Sequence, residues 1–588
     1  MKIYLFTLIL ALLSACSTTQ KKGEVKNWKK ASSDLAKSYA NSMGELYPEY
    51  ISDIGFSKFD PRTTPFSREL ESKRYALSYK WKKRLERFIA GTSHPELKTD
   101  AQILLENANL EMESVELARK EAIVPFLPIS EYVFGNLKSL IKTGASKTKI
   151  HSALIKFRSY VRGTDTQLPL IDGYMSYLLS RLDQMKENRQ RGHWPTRKEI
   201  ISYIKESDEY LKGIEKLLEV WPAQDWQRDF KELKNQDLNY RAFLKKKILP
   251  YARTTNRTPP EVYAFMLKEY GIFDPPAKLI ADAKEDYQKT YGRFREIGKD
   301  ISLANSLSDS EPLTVAKFLS SKRFKDDDEL LKYYRFTTNY LMDLVKKNNL
   351  LTIEEKPDFI IRFGSPAEMQ SIPAPHFDSP ALLGKDLSPG QYVIPRTSGN
   401  NGMPDYSFKE AIVNLTSHEG IPGHALQYQI MKERGTTLIR AKLAFNSANV
   451  EGWAHYAEEI VFPYLTKEEQ FITLQRRLWR QARMFLDPEL NLGKIDSRRV
   501  LEVYIKELGF SPEFAASELK RYSYIMPGQA PAYYYGYKVL ADLKIKLKEK
   551  LKRNFTEKCF NDALLDLGVL PLKVISDRMA NNLNCGGK

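Results

Sequence analysis

Three of the seven histidines fall between positions 418 and 455, and two of them frame the run His418-Glu419-Gly420-Ile421-Pro422-Gly423-His424. Downstream comes Glu451-Gly452-Trp453-Ala454-His455. Two imidazoles, a carboxylate beside the first and another acid on a later segment are the parts of a zinc hydrolase. Zinc in such enzymes is held by three protein ligands and keeps a fourth position for water, whose pKa the ion lowers toward neutrality. Metal-assisted hydrolysis is therefore the leading chemistry.

The spacing is unusual. A typical zinc-protease helix carries its histidines at i and i+4, whereas here they stand at i and i+6. On an unbroken helix six residues advance roughly 9 Å and turn about 240°, so the rings would point apart. Gly420 and Gly423 relax the backbone, and Pro422 lacks an amide hydrogen and disrupts the preceding turn. A bulge that absorbs two residues brings His424 back under His418. The other reading is a helix that ends at Gly420, with two unrelated histidines.

The string HEGIPGHALQ resembles the signature of the bacterial "domain of unknown function 885" family, His-Glu-x-x-Pro-Gly-His with a Gln three residues later. Val450 to Glu458, VEGWAHYAE, is similar to that family's Val-Glu-Gly-Trp-Ala-x-Tyr-Ala-Glu segment. Arg521 to Gly536, RYSYIMPGQAPAYYYG, resembles its Arg-Tyr-x-x-x-Pro-Gly-Gln-Ala-x-x-Tyr-x-x-Gly segment. The family is placed with gluzincin-like metallopeptidases that use two histidines and a glutamate, so the resemblance implies zinc (Zn2+) on His418, His424 and Glu451. Three departures stand out. Ala425 occupies a position where many relatives carry a further histidine, Tyr522 is one residue farther from Pro527 than in the pattern, and His455 replaces a residue that is more often apolar. His455, four residues after Glu451, shares its helix face and could orient Glu451, replace it as ligand, or simply be a buried ring bonded to backbone.

Glu419 is the expected general base: beside a ligand without being one, it can take a proton from water and pass it to a leaving amine. Tyr533 matches the family's tyrosine after Pro-Gly-Gln, and its phenol could stabilise an oxyanion. Arg521 could pair with a substrate carboxylate through its planar fork or form a structural salt bridge. Trp453 reads as packing, and Gln427 as a local hydrogen-bonding residue without a catalytic role.

Elements that could carry these residues are legible around them. Ser407 with Glu410 predicts a capping-box start, and Phe408, Ala411, Ile412 and Leu415 give an apolar face leading to His418. Lys432, Arg434 and Gly435 predict the end of that helix, and a second helix from about Leu443 to Val461 carries Glu451. Upstream, Phe359, Ile361 and Phe363 and then Tyr392-Val393-Ile394 read as short strands, separated by a loop from Gly364 to Gly390. Such a sheet could offer an edge along which an extended peptide adds, or be a structural hairpin.

Lys2 and the mostly apolar run Ile3 to Leu13 are too short to span a bilayer but suit a secretory segment. Leu13-Ser14-Ala15-Cys16 resembles a bacterial lipobox, so residues 1–15 are expected to be a signal peptide, Cys16 the lipidated residue, and 16–23 a polar tether. Ser17 suggests the outer membrane, with the protein facing the periplasm. Cys559 and Cys585 could then form a disulfide or remain free thiols. A formal charge of +17 comes from 91 basic residues interleaved with 74 acidic ones, without a nucleic-acid-binding motif, and argues for no nucleic-acid partner.

Helical periodicity dominates the first half: Ala101, Leu104, Leu105, Ala108, Met112 and Val115 make one apolar face, and Ile204, Leu211, Ile214 and Leu218 another. Pro259-Pro260 and Pro275-Pro276 punctuate the middle. The expected architecture is mainly α, a large two-lobed helical metallopeptidase-like fold with a small β-sheet beside the active-site helix. Its lobes run over 24–270 and 271–588. The expected function is that of a membrane-anchored zinc peptidase; a zinc hydrolase of non-peptide amides or esters, and a non-enzymatic binding lipoprotein, are the alternatives. Oligomeric state is not legible.

Overall fold

Apolar residues at helical spacing fold most of the chain into helices. The computed structural model describes residues 27–142, 144–380, 389–397, 403–444 and 446–586. The expected signal segment, Cys16 and the tether lie outside the described residues. No helix among those described is long and apolar enough to cross a membrane.

Both apolar stripes read from the sequence face inward: Ala101, Leu104, Ala108 and Val115 are buried on the helix Pro95–Lys120, and Leu211, Ile214 and Leu218 on Arg197–Leu218. They serve different clusters. Residues from Ala122 to Ala252 pack with one another and with Ala367, whereas Leu35 to Ala108 share a single cluster with residues from Tyr263 to Met579. The helical pair Leu70–Gly91 and Pro95–Lys120 thus packs with the C-terminal half of the chain.

That larger cluster holds the helix Lys467–Asn491, buried from Phe471 to Asn491, arginines included. It lies along Pro276–Asn305, where the rings of Phe294 and Phe471 stack at 4.2 Å. Burying Arg476, Arg477, Arg480 and Arg483 requires partners for each. Glu458 pairs with Arg480 at 2.8 Å and Glu518 with Arg483 at 2.6 Å, while Glu459 pairs with Arg477. Arg476 instead donates to the Asp405 carbonyl and lies over the ring of Phe510 at 4.8 Å.

The sheet has three strands in the order β1 (Phe359–Phe363), β3 (Gly390–Ile394), β2 (His376–Asp378). β1 runs parallel to β3, pairing Phe359 with Gly390, and β2 runs antiparallel, pairing His376 with Val393. β2 and a one-and-a-half-turn helix, Pro366–Ser371, occupy part of the stretch read as a loop. Ser365 caps that helix through a reciprocal bond with Glu368, a local signal that the Pro- and Gly-rich composition masked. Ile361, Tyr392 and Ile394 pack on Ile412, which places the sheet against the helix that carries His418.

Candidate metal centre

The HEGIPGH segment is a helix break rather than a bulge. One helix runs Lys409–Glu419 and a second His424–Arg434. Between them the Gly420 and Ile421 amides both donate to the Thr416 carbonyl, at 2.9 and 3.0 Å, closing the first helix. A Cβ on Gly423 would lie 1.7 Å from the His418 carbonyl oxygen, so only glycine lets the chain double back here. The Trp453 indole fastens the turn, donating to the Pro422 and Gly423 carbonyls at 3.2 and 3.3 Å.

Two expectations about the carrying helices are corrected. Ser407 is not an N-cap: Phe408 holds that position without a side-chain bond, and the Ser407 hydroxyl donates back to the Pro404 carbonyl at 3.4 Å, inside the preceding turn. The glutamate helix is shorter than read, Ser447–Val461, because Asn446 caps it by accepting from the Asn449 amide at 2.8 Å. Leu443 instead ends a separate π turn, Ile439–Leu443.

With these elements in place, both histidines turn their Nε2 atoms toward one oxygen. Nε2 of His418 lies 3.4 Å and Nε2 of His424 3.5 Å from Glu451 Oε2, and the two rings stand nearly perpendicular, 5.0 Å apart. One ligand atom from each of the three residues lies within 4.8 Å of the others. Zinc bonds of about 2.0–2.2 Å in a tetrahedron put neighbouring ligand atoms roughly 3.3–3.6 Å apart. The donor set of two imidazoles and one carboxylate, at this spacing, fits such an ion.

The outer side of His418 is occupied too. Its Nδ1 lies 2.8 Å from Glu458 Oε1 and 3.3 Å from Arg480 Nη2. A ring nitrogen cannot donate to the first and accept from the second at once. The shorter contact to a carboxylate assigns the proton to Nδ1, leaving the Nε2 lone pair facing Glu451. Glu458 also accepts from Asn414 Nδ2 at 2.8 Å. Burial works to raise the Glu458 pKa, but Arg480 and the His418 contact outweigh it and hold the carboxyl at about 2. Glu458 and Arg480 were not singled out in the sequence, although Glu458 stands seven residues after Glu451, on the same helix face.

Glu419 is 8% exposed, with Oε1 3.9 Å from His418 Nε2. Burial is the main cause that pushes its pKa up to about 8; His424 opposes the rise and Glu451 adds to it. The Tyr533 ring lies nearly parallel to that of His418, 6.0 Å away, with the Arg483 guanidinium 4.4 Å from its centre. Burial raises the Tyr533 pKa, so the hydroxyl keeps its proton at neutral pH. Arg521 donates through Nη2 to the Tyr533 hydroxyl at 3.4 Å and through Nε and Nη2 to Gln529 Oε1 at 3.2 and 2.7 Å. No carboxylate among the described residues lies within ion-pair distance of Arg521. The extra residue between Tyr522 and Pro527 falls in a π turn, Arg521–Ile525, whose wider ring accommodates it.

A close helix crossing sets the distance between the glutamate and the tyrosine. A Cβ on Gly536 would lie 1.9 Å from the Ala448 carbonyl oxygen, and one on Gly452 would lie 2.6 Å from the Gly536 Cα. The helices Ser447–Val461 and Ala532–Leu551 therefore touch backbone to backbone, one residue from Glu451 and three from Tyr533.

Three residues stand apart from the group. His455 is fully buried, stacked 4.5 Å from the Tyr537 ring, and neither ring nitrogen has a hydrogen-bond partner among the described residues. It makes no bond to Glu451 or to backbone. Cys559 and Cys585 are joined as a disulfide far along the chain, with Cα atoms 5.7 Å apart.

The chain matches, over residues 48–579, a family described as a bacterial protein of unknown function, DUF885. In fold it is similar to the crystal structure of a candidate lipoprotein from Colwellia psychrerythraea. The TM-score is 0.75 at 17% identity, covering 95% of this chain and 99% of that one. A candidate lipoprotein of unknown function from Shewanella oneidensis is similar with a TM-score of 0.69 at 17% identity, covering 94% of this chain and 100% of the other. A comparison with curated proteins finds no match.

Proposed function

The chain belongs to the DUF885 family of bacterial proteins, and from that premise and the geometry of its centre we propose that it is a zinc-dependent peptidase of gluzincin type, anchored in the cell envelope by a lipid on Cys16. The observation that carries the reading is the convergence of His418 Nε2 and His424 Nε2 on Glu451 Oε2, at 3.4 and 3.5 Å. A divalent ion held by these three residues would polarise a substrate carbonyl, make a nearby water easier to deprotonate, and favour the charged form of Glu419.

The chain's own residues supply the rest. Glu419 receives the proton of the attacking water and delivers it to the leaving amine; its carboxyl stands beside His418 Nε2 at 3.9 Å, within the site but outside the ligand group. Tyr533, protonated at neutral pH, donates to the oxygen on which charge develops. Arg521 holds that hydroxyl and, with no acidic partner among the described residues, can also face a substrate carboxylate. β2 is an edge strand among the described residues, and an extended peptide could add along it. The lipoprotein description of both structural neighbours supports the anchor.

Protein purified without chelators should contain about one zinc per chain and release fragments from a peptide library. Glu419→Gln should keep the metal and lose turnover by about two to four orders of magnitude. Zinc-loaded protein that cleaves only esters or non-peptide amides would reassign the substrate; absence of zinc after loading would end the hydrolase reading.

A further inference from the structure

A cavity of 580 Å³ shares one wall with the centre: it is lined by Tyr428 of the helix that carries His424, and Tyr428 packs with Val450, the residue before Glu451. Tyr428 lies one turn beyond His424 on the same helix, Lys442 lies on the π turn between the histidine and glutamate helices, and Phe377 and Asp378 belong to β2. Phe377 and Tyr428 stack at 6.2 Å, so part of the wall is apolar.

The acids of this wall are mostly satisfied. Glu368 is held by Arg362 at 2.6 Å and by Lys138 at 2.9 Å, and Lys138 also reaches Asp378 at 3.1 Å. Lys442 is different. Among the described residues its Nζ donates only to the Ser379 hydroxyl, at 3.5 Å, and it lies 5.9 Å from the centre of the Tyr428 ring. No carboxylate among the described residues comes within ion-pair distance of it. Asp53, which lines the same cavity, acts on it from beyond ion-pair distance, and Lys142 and Lys149 add positive charge. Burial works foremost against its charge, Asp53 opposes that effect, and the two lysines then add to it. A half-buried ammonium whose opposite charge, Asp53, stays beyond ion-pair distance is a costly arrangement that a bound anion relieves.

The turn that carries Lys442 is firmly held. Its neighbour Arg440 is buried against Asp100 at 2.7 Å, and the Tyr50 hydroxyl donates to the Lys442 carbonyl at 3.4 Å. Lys442 thus stands on a held turn and lines a partly apolar cavity that shares the Tyr428 wall with the candidate metal centre.

We propose that this cavity is a substrate subsite in which Lys442 binds a carboxylate of the peptide, either an acidic side chain or the free C-terminus. The proposal rests on the peptidase reading and gives it a substrate class: peptides that present an anionic group near the scissile bond. The ammonium and the carboxylate form a charge-assisted hydrogen bond in a poorly hydrated site, and the Phe377–Tyr428 wall takes the adjoining methylene groups.

The test is binding of labelled alanine-rich hexapeptides to the full chain carrying Glu419→Gln, read by fluorescence anisotropy. One glutamate is walked along the peptide and compared with glutamine at each position, and every peptide is also made with a C-terminal carboxamide. Replacing the favoured carboxylate should weaken binding at least about tenfold. The glutamine arm reports a side-chain carboxylate and the carboxamide arm a C-terminal one. Lys442→Gln should erase that difference and Lys442→Arg should retain it, both with unaltered zinc content and thermal unfolding. Equal binding of acid and amide peptides, or a difference that survives Lys442→Gln, overturns the subsite alone. Failure of every peptide to bind overturns the peptidase reading with it.

Discussion

Glu451 and Glu458, two turns apart on one helix, address opposite nitrogens of the same imidazole: Glu451 Oε2 lies 3.4 Å from His418 Nε2 and Glu458 Oε1 2.8 Å from His418 Nδ1. One carboxylate shares the inner face of the ring, and the other fixes its tautomer from behind.

Glu458→Gln should therefore weaken zinc binding by about tenfold to a hundredfold, because the outer carboxylate both orients the ring and raises its basicity. Competition with a chromophoric chelator reads this directly. Unchanged affinity in a folded variant would show that His418 is oriented by other contacts.

Tyr533→Phe should lower kcat by about a hundredfold or more while leaving zinc content and KM close to those of the parent, since the phenol is assigned to the charge that develops during reaction. A loss seen in KM alone would make Tyr533 a substrate contact. Steady-state kinetics on any peptide found to be cleaved decides the matter.

Gly536→Ala should be costly out of proportion to its size. The added methyl group meets the Ala448 carbonyl and the Gly452 backbone, neither of which can rotate away. Overpacking of this kind costs about 1–3 kcal/mol. Chemical denaturation measures the loss, and zinc titration should show weaker binding, because separating the helices moves Glu451.

Acid should weaken the fold through Glu518. This carboxyl accepts from Arg483 at 2.6 and 2.8 Å and from the Trp479 indole at 2.8 Å. Burial works to raise its pKa, but Arg483 and the bonds to the carboxylate hold it at about 2, against an ordinary value of 4.5. Because the folded-state pKa is depressed, its contribution is fully present above about pH 4.5 and is lost as the pH falls through about 2. The loss is on the order of 3 kcal/mol. Glu518→Gln should cost about 3–5 kcal/mol at neutral pH by leaving Arg483 buried without its partner, and should flatten the acid limb of the stability curve.

How far the site was legible depended on how local its determinants are. The His-Glu pair, the glycines and the proline of residues 418–424 announce a departure from the regular helix, and the structure resolves it as a break. The apolar stripes around Ala101 and Leu211 followed from helical period alone. Glu458 was within reach of the same rule, since positions seven apart share a face, but a glutamate late in an amphipathic run reads as solvated surface. Arg480 and Arg483 had no such signal: their helix is buried on all sides, so its arginines break the pattern on which sequence reading depends. The strand β2 was hidden in a loop-like composition, and the joining of the Leu35–Ala108 segment to the C-terminal core is a long-range contact that no periodicity encodes.

The three candidate ligands all come from the single stretch between His418 and Glu451, whereas the arginine that pairs with Glu458 behind His418 is delivered by the separate helix Lys467–Asn491. The grip on the ion and the support behind it would thus be set by different parts of the chain. Loosening the packing of the later helix would slacken the grip while leaving every donor in place.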